Sequence, residues 1–185
     1  MPKCKHCGSG EVRTVLLKEY VDPLMGAPFE VVLENAVTAT ICSNCGDRLG
    51  ITIPDAKGLL AAVAMTRALD PFRLSGDEIR FLRKAVGWKG KDLATILEIS
   101  AEHLSRCERG THDFLSPGLE KYLRHFACEK IKETYAPAIA FDLGHFERMR
   151  IKPVRIVTCE GGKRQYRFRR VPVKDIQKWN VRKAA

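Results

Sequence analysis

The sequence predicts an α+β fold, and three observations support this prediction. Stretches of alternating polar and apolar residues lie near both ends, apolar residues at helical spacing fill the middle, and paired cysteines bracket the first strand-like region. We expect four consecutive parts. They are a small β-rich N-terminal domain over 1–52, a linking helix over 53–73, a domain of four to five helices over 74–137, and a C-terminal extension with a basic β-hairpin over 138–185.

The length and the apolar runs restrict the class of protein. With 185 residues the chain can form one large domain or two small ones. We see no secretory leader in the sequence, and the longest apolar run, 59–65, is too short to cross a bilayer. We therefore expect a cytoplasmic protein with no membrane association, in which structural disulfides are disfavoured.

Positive charge is concentrated at one end of the chain. Residues 150–185 contain 12 Lys or Arg and two acidic residues, a net charge of +10. The other 149 residues contain 20 basic and 20 acidic residues, a net charge of zero. Such a local excess indicates an anionic partner, most often nucleic acid, and the alternative is a solubilising tail.

The first part of the chain reads as two strands followed by a helix. The β-like stretches are 12–20 and 29–41, and residues typical of turns separate them, namely Asp22, Pro23, Gly26 and Pro28. The linking helix begins near Pro54, and its apolar residues are Leu59, Leu60, Val63 and Met65. A hairpin or small meander leading into a helix is predicted.

Four helical patterns follow, each marked by residues that start or stop helices. Ser75 can cap the first, which ends at Gly87, and residues 91–97 form the second. Ser100 can cap the third, which ends at Gly110, and Ser116 with Pro117 opens the fourth.

The C-terminal extension carries a hairpin signal. A Gly161–Gly162 turn separates two alternating runs, and in the second run Tyr166 and Phe168 share one face. Arg167 and Arg169 share the other face, where they can bind phosphates. Three roles remain open for this extension: a clamp on DNA, a dimerisation or partner-binding element, and a cover for the helical domain.

A doubled CxxCG pattern predicts a metal site. The thiols of Cys4, Cys7, Cys42 and Cys45 form two CxxC pairs separated by 34 residues, and four thiolates suit tetrahedral zinc. Gly8 and Gly46 allow the positive φ that such a turn needs. We predict one structural Zn²⁺, since four thiolates leave no open position for catalysis. A redox-active pair and two unrelated disulfides are the alternatives.

The second and third helices have the spacing of a helix-turn-helix. Leu93, Ile96 and Leu97 face inward from one helix, Ile99 fills the turn, and Leu104 anchors the next helix. The outward positions of the third helix would then enter a major groove, and they are occupied by Ala101, Glu102, Ser105 and Arg106. Arg109, at the end of the same helix, completes this predicted surface.

The stretch 88–110 resembles the helix-turn-helix of the Cro/XRE repressor class, whose typical pattern is LTQxELAxxLGVSxxxISRxExG. The segments DLA, IL, IS, LSR and ERG stand at matching places without a gap. Together with the doubled CxxC and the linking helix, residues 1–131 resemble the MqsA (YgiT-type) antitoxins. The last 50 or so residues have no counterpart in that resemblance.

The resemblance implies a function for each part. The N-terminal zinc domain would bind a toxin, usually a small RNase, and the helix-turn-helix would dimerise on a palindromic operator. Arg106 matches a family Arg that reads base edges, but Glu102 replaces a family Asn and can accept a hydrogen bond from cytosine N4. Gly90 replaces a common Gln, so Lys89 and Lys91 would supply phosphate contacts.

These patterns predict one of two classes of transcription regulator, and the alternative is a module that only binds other proteins. The chain is expected to be an antitoxin that represses its own promoter, or a stand-alone zinc-containing transcription regulator with no toxin. The helical pair could also be a plain interaction module. We do not expect an enzyme, because the sequence shows no nucleophile–base pair, open metal site or phosphate loop.

Overall fold

The computed structural model describes residues 3–22, 26–111, 114–135, 141–142, 144–153, 164–173 and 176–181. These residues form, in order, β1 (Val12–Asp22), β2 (Glu30–Cys42), β3 (Arg48–Thr52), α1 (Ala56–Leu69), α2 (Gly76–Ala85), α3 (Gly90–Ile96), α4 (Ala101–Arg109), α5 (Pro117–Thr134), α6 (Gly144–Arg148), β4 (Gln165–Val173) and β5 (Ile176–Val181). The α+β class is confirmed. Within the described ranges, none of the helices combines the length and the apolar character needed to traverse a membrane.

All five strands belong to one mixed sheet in which β2 is central. β1 runs antiparallel along one edge of β2. The other edge of β2 is shared, because its residues 38–41 pair with β3 and its residues 30–33 pair in parallel with β4. β5 then pairs antiparallel with β4. The sheet therefore joins the two ends of the chain, which the sequence had assigned to separate parts.

The C-terminal strands close the core over α1. Phe168 and Trp179 are 0% and 1% exposed, and the indole nitrogen of Trp179 donates hydrogen bonds of 3.0 and 3.1 Å to the carbonyls of Pro54 and Asp55. The hairpin predicted around Gly161–Gly162 lies outside the described residues, whereas β4 and β5 form a hairpin of their own. In the described part, the extension packs as a cover rather than standing free.

Helix α1 lies at the centre of the protein. Asp55 caps it by accepting a 3.0 Å hydrogen bond from the Gly58 N–H, and most of its side chains are fully buried. It contacts β5 on one side and the helices α2 and α5 on the other. Its many alanines leave little volume between these elements, so the helix expected to link two domains instead forms part of one shared core.

Two buried arginines hold the segment that follows α1. Arg67 donates two hydrogen bonds of 2.7 and 2.8 Å to Glu78 on α2, and Arg124 on α5 donates two of 3.1 and 2.6 Å to Glu120. Both guanidinium groups also bond to backbone carbonyls of 68–73. Because each of these four buried charges has a partner, the network is tolerated in the core and fixes α2 and α5 against α1.

Three arginines of the basic extension form ion pairs with acidic residues of the first half of the chain. The pairs, all within 3.7 Å, are Arg164 with Asp70 and Glu78, Arg167 with Glu19 and Glu34, and Arg170 with Asp55. Part of the charge excess read from the sequence is therefore neutralised inside the protein. The net positive charge of the C-terminal segment is therefore larger along the sequence than in the folded protein, where acidic residues of other segments lie beside it.

Candidate functional site

The four cysteines of the doubled CxxC pattern meet at one point. Their sulfur atoms all lie within 4.8 Å of one another, with 3.6 Å between Cys4 and Cys45 and 3.6 Å between Cys7 and Cys42. A zinc tetrahedron with Zn–S bonds of about 2.3 Å has S–S edges of about 3.8 Å, whereas disulfide sulfurs lie about 2.05 Å apart. The cluster thus has a geometry that could hold a metal ion and contains no disulfide.

Each cysteine pair is shaped by a tight backbone turn. The Gly8 N–H donates a 2.8 Å hydrogen bond to the Cys4 carbonyl, and the Gly46 N–H donates one of 3.0 Å to the Cys42 carbonyl. The φ angles of Gly8 and Gly46 are 74° and 76°, a region that residues with a Cβ rarely adopt. The two turns are equivalent, so each presents two thiols to the same point.

The cysteine cluster sits at one end of the sheet. Cys42 is the last residue of β2, while Cys4 and Cys7 precede β1. Cys4 and Cys42 are buried, and Cys7 and Cys45 are exposed. None of these residues belongs to the main hydrophobic cluster, so the four sulfur atoms meet away from it, at one end of the β1–β2 pair.

The second candidate site is the pair of short helices α3 and α4. The Ile99 N–H donates a 3.0 Å hydrogen bond to the Ala94 carbonyl in the turn, and Ser100 caps α4 by accepting a 3.1 Å bond from the His103 N–H. Leu93 and Leu104 are buried where the helices meet. The turn contains one left-handed residue, Glu98, with φ of 54°. Because Glu98 carries a Cβ, its left-handed backbone is a strained conformation in this turn.

Helix α4 has two clearly different faces. Its inward face is formed by the buried Leu104, Cys107 and Glu108. Its outward face is exposed and carries all five residues predicted for it: Ala101, Glu102, Ser105, Arg106 and Arg109. Lys89 and Lys91, also predicted, are exposed at the start of α3. These seven residues therefore all lie on the solvent side of the helical pair.

The inward face of α4 is attached to α2 through a charged pair. The Arg83 guanidinium on α2 donates two hydrogen bonds, of 2.6 and 2.9 Å, to the Glu108 carboxylate. Gly76, the first residue of α2, lies against the C-terminal carbonyls of α4, and a Cβ there would overlap the carbonyl of Cys107. The orientation of α4 is thus determined by α2, and the sequence pattern did not reveal this pair.

The other two predicted DNA contacts lie elsewhere. Arg167 and Arg169 are on β4, within the sheet. Arg167 forms ion pairs of 2.6 Å with Glu19 and 3.0 Å with Glu34, whereas Arg169 is exposed. These two arginines therefore belong to a strand of the sheet and not to the α3–α4 pair.

Comparison of the chain with protein families, with curated proteins and with solved structures found no match. The function of the chain is therefore inferred from the geometry of the cysteine cluster and of the α3–α4 pair.

Proposed function

We propose that this protein is a cytoplasmic DNA-binding transcriptional repressor in which α3 and α4 form a helix-turn-helix and α4 is the recognition helix. The observation that carries the proposal is the division of α4 into a buried face and an exposed face. A recognition helix needs this division, because one face must anchor it to the bundle while the other contacts base edges in the major groove.

Each exposed side chain has a role suited to its chemistry. Arg106 can donate two hydrogen bonds to guanine O6 and N7, and Glu102 can accept one from cytosine N4. Lys89, Lys91 and Arg109 can neutralise phosphates on either side of the groove. We propose that a homodimer places two copies of α4 in successive major grooves, so that the operator is a palindrome with half-sites about 10 base pairs apart.

We further propose that the cysteine cluster holds one structural Zn²⁺. Four thiolate ligands satisfy zinc completely and leave no open position, which suits a structural role and not catalysis. Cys4, Cys7, Cys42 and Cys45 would hold the ion, which would fix the ends of β1 and β2 to each other. No enzymatic activity forms part of the proposed function.

The repressor is proposed to be an antitoxin that binds an RNase toxin through the N-terminal part of the sheet. The resemblance to MqsA-type antitoxins supports this role, as do three exposed apolar residues on the edge strand β1, Val12, Leu16 and Val21. Co-purification of the full chain with the product of the adjacent reading frame tests it. If that product is harmless in cells and does not bind the full chain, the stand-alone regulator is the correct function.

DNA binding is tested by selecting sites from random duplexes with the purified full chain. Arg106→Ala should weaken binding to the selected site by about 1–3 kcal/mol and relax the preference at one base pair per half-site. The matched control is Arg13→Ala, which removes an exposed arginine from β1 and should leave the preference unchanged.

Two outcomes contradict parts of this proposal. Equal losses of Arg106→Ala on the selected site and on random DNA would show that Arg106 contacts only phosphate. Failure of the wild-type chain to bind any duplex at low ionic strength would overturn the assignment of α4 as a recognition helix.

A further inference from the structure

A cavity, called here the α5–α6 cavity, opens between the first half of α5 and the short helix α6. Its volume is about 380 Å³, at the lower end of the range that small-molecule sites occupy. The residues that line it are Gly118, Lys121, Tyr122, His125, Phe146 and Glu147. The four from α5 recur at helical spacing and so share one face of that helix, which α6 contacts. The cavity therefore lies between two packed helices, and the fold determines its shape.

Aromatic rings form the walls of the α5–α6 cavity. Phe146 is buried and lies edge-on to the His125 ring, with 5.9 Å between the ring centres and an angle of 70° between the ring planes. The Tyr122 ring is 59% exposed, yet it is held by stacking on Phe126 at a centre-to-centre distance of 6.3 Å. Aromatic pairs attract each other in stacked and in edge-on arrangements. Rings held in fixed orientations around a cavity therefore favour a flat, aromatic ligand.

Gly118 leaves space at one end of the α5–α6 cavity. It is the second residue of α5 and lines the cavity. Among the described residues, the nearest atom to a Cβ built on Gly118 is the Ser116 hydroxyl oxygen, at 4.0 Å, which is ordinary van der Waals contact. A side chain at position 118 would therefore occupy the cavity without overlapping the backbone of the neighbouring elements.

A positive charge is fixed beside the aromatic walls. The Lys121 ammonium group donates a 3.0 Å hydrogen bond to the Glu147 carbonyl oxygen, which joins α5 to α6 next to the cavity. An ammonium group has three N–H donors, so this bond positions the group and uses one of them. A ligand carboxylate would accept a charge-assisted hydrogen bond from it. The Glu147 carboxylate is exposed, where water screens its charge, whereas Lys121 is half-buried, so the cavity favours an anion.

We propose that the α5–α6 cavity binds a small aromatic carboxylate, with the ligand ring against the three aromatic walls and its carboxylate on the Lys121 ammonium group. The inference does not rest on the proposed DNA binding, and it gives the helical bundle a second function, the recognition of a small molecule. Apolar walls with a few placed polar groups are the usual composition of a small-molecule site. The rings provide most of the affinity, and the ammonium group determines the orientation of the ligand.

The test is titration calorimetry of the full chain with three probes of the same shape, namely naphthoate, its neutral amide and the cation naphthylmethylamine. Naphthoate should bind most tightly. Lys121→Gln keeps an N–H donor for the Glu147 carbonyl but removes the charge, so it should weaken naphthoate by about tenfold and leave the amide unchanged. The matched control is Lys130→Gln on the same helix. Lys130 forms a 2.9 Å ion pair with Glu133, and its loss should leave all three affinities unchanged.

Gly118→Leu tests the location of the site, because leucine is a good helix former and its side chain fills the cavity. It should abolish the binding of naphthoate and of the amide alike. In the wild-type chain, naphthoate should shift the amide resonances of 118–125 and 144–149, a measurement that needs no variant. Tighter binding of the cation than of naphthoate, shifts confined to other residues, or no binding of naphthoate at millimolar concentration would each overturn the proposal.

Discussion

The hydroxyl of Tyr166 donates a 2.6 Å hydrogen bond to the carboxylate of Asp70, joining strand β4 to the end of α1. Burial raises the pKa of Tyr166, so its hydroxyl remains a proton donor well above neutral pH. Arg164, two residues earlier, forms ion pairs with Asp70 and Glu78. The last strands are thereby attached to the segment from which the helical bundle begins.

Removal of β4 and β5 should therefore destabilise the whole fold and not only the C-terminal segment. A chain ending at residue 163 loses the parallel partner of β2 and exposes the apolar surface that Phe168 and Trp179 cover. We expect this shortened chain to lose its cooperative thermal unfolding transition, which circular dichroism measures. A chain ending at Val181 keeps both strands and serves as the control. A wild-type melting curve for the chain ending at 163 would show that the two strands are dispensable.

The burial of Trp179 can be tested by a single substitution. Trp179→Ala leaves a large cavity over the start of α1 and should lower the free energy of unfolding by about 3–5 kcal/mol. Ile176→Ala, on the same strand but 62% exposed, should change it by less than about 0.5 kcal/mol. Urea unfolding of both variants gives the comparison, and similar effects would contradict the observed orientation of β5.

The Arg67–Glu78 pair should make stability depend on pH on the acid side. Burial alone would raise the pKa of Glu78, but the hydrogen bonds and charge of Arg67, with contributions from the Ser75 N–H and Arg164, together outweigh burial and lower it. Because the folded pKa lies below the unfolded value of about 4.3, the stabilisation is complete above that pH. It is lost as the pH falls through the lowered folded pKa.

Glu78→Gln should remove this part of the acid dependence and lower the free energy of unfolding at neutral pH by about 3–5 kcal/mol, since Arg67 stays buried without its partner. Asp77→Asn is the neighbouring control, with a side chain 71% exposed, and should cost less than about 1 kcal/mol. The free energy of unfolding of both variants, measured by urea unfolding between neutral and acid pH, distinguishes Glu78→Gln from Asp77→Asn. An unchanged pH profile in Glu78→Gln would mean that other carboxylates carry the acid dependence.

The left-handed residue between α3 and α4 offers a stabilising change. Glu98 has φ of 54°, a conformation that costs a residue with a Cβ about 1–2 kcal/mol relative to glycine. After the entropy that glycine adds to the unfolded chain, Glu98→Gly should still raise the free energy of unfolding by about 0.5–1 kcal/mol. The shift of the urea midpoint measures it. Glu102→Gly, within α4, should act in the opposite direction by a similar amount.

Removal of the proposed zinc should affect one end of the protein. We expect one metal ion per chain, and chelation should increase hydrogen exchange near 3–11 and 42–47 while α2 to α5 remain protected. Cys42→Ser should lose the metal, whereas Cys128→Ala, which changes a buried cysteine outside the cluster, should retain it. An unfolded bundle after chelation would show that the metal stabilises the whole fold.

Features that depend on neighbouring residues were predictable from the sequence. The caps expected at Ser75, Ser100 and Ser116 are confirmed, because each serine accepts a hydrogen bond from a backbone N–H three residues later. The clustering of the four cysteines is also confirmed: each CxxC turn is local, and the antiparallel pairing of β1 with β2 brings the two turns together. The assignment of the exposed α4 residues to DNA stays a prediction, because no nucleic acid contact has been tested.

Features that depend on distant residues were not predictable. The parallel pairing of β2 with β4 joins residues about 135 positions apart, and neither strand carries a local signal for its partner. Arg67 and Arg124 read as ordinary helix residues, yet both are completely buried. Their burial depends on carboxylates and carbonyls that only the folded chain brings within reach.

By itself, the sequence determined the serine caps of three helices, the two CxxC turns and the polar face of α4, because caps, turns and helical periodicity act over a few residues. Only the tertiary structure decided that both ends of the chain share one sheet and that α1 is its central support. It also decided which positive charges are already neutralised. These features arise from burial and charge pairing between segments that are far apart along the chain. The sequence separation of two segments does not show how close they lie in the folded protein.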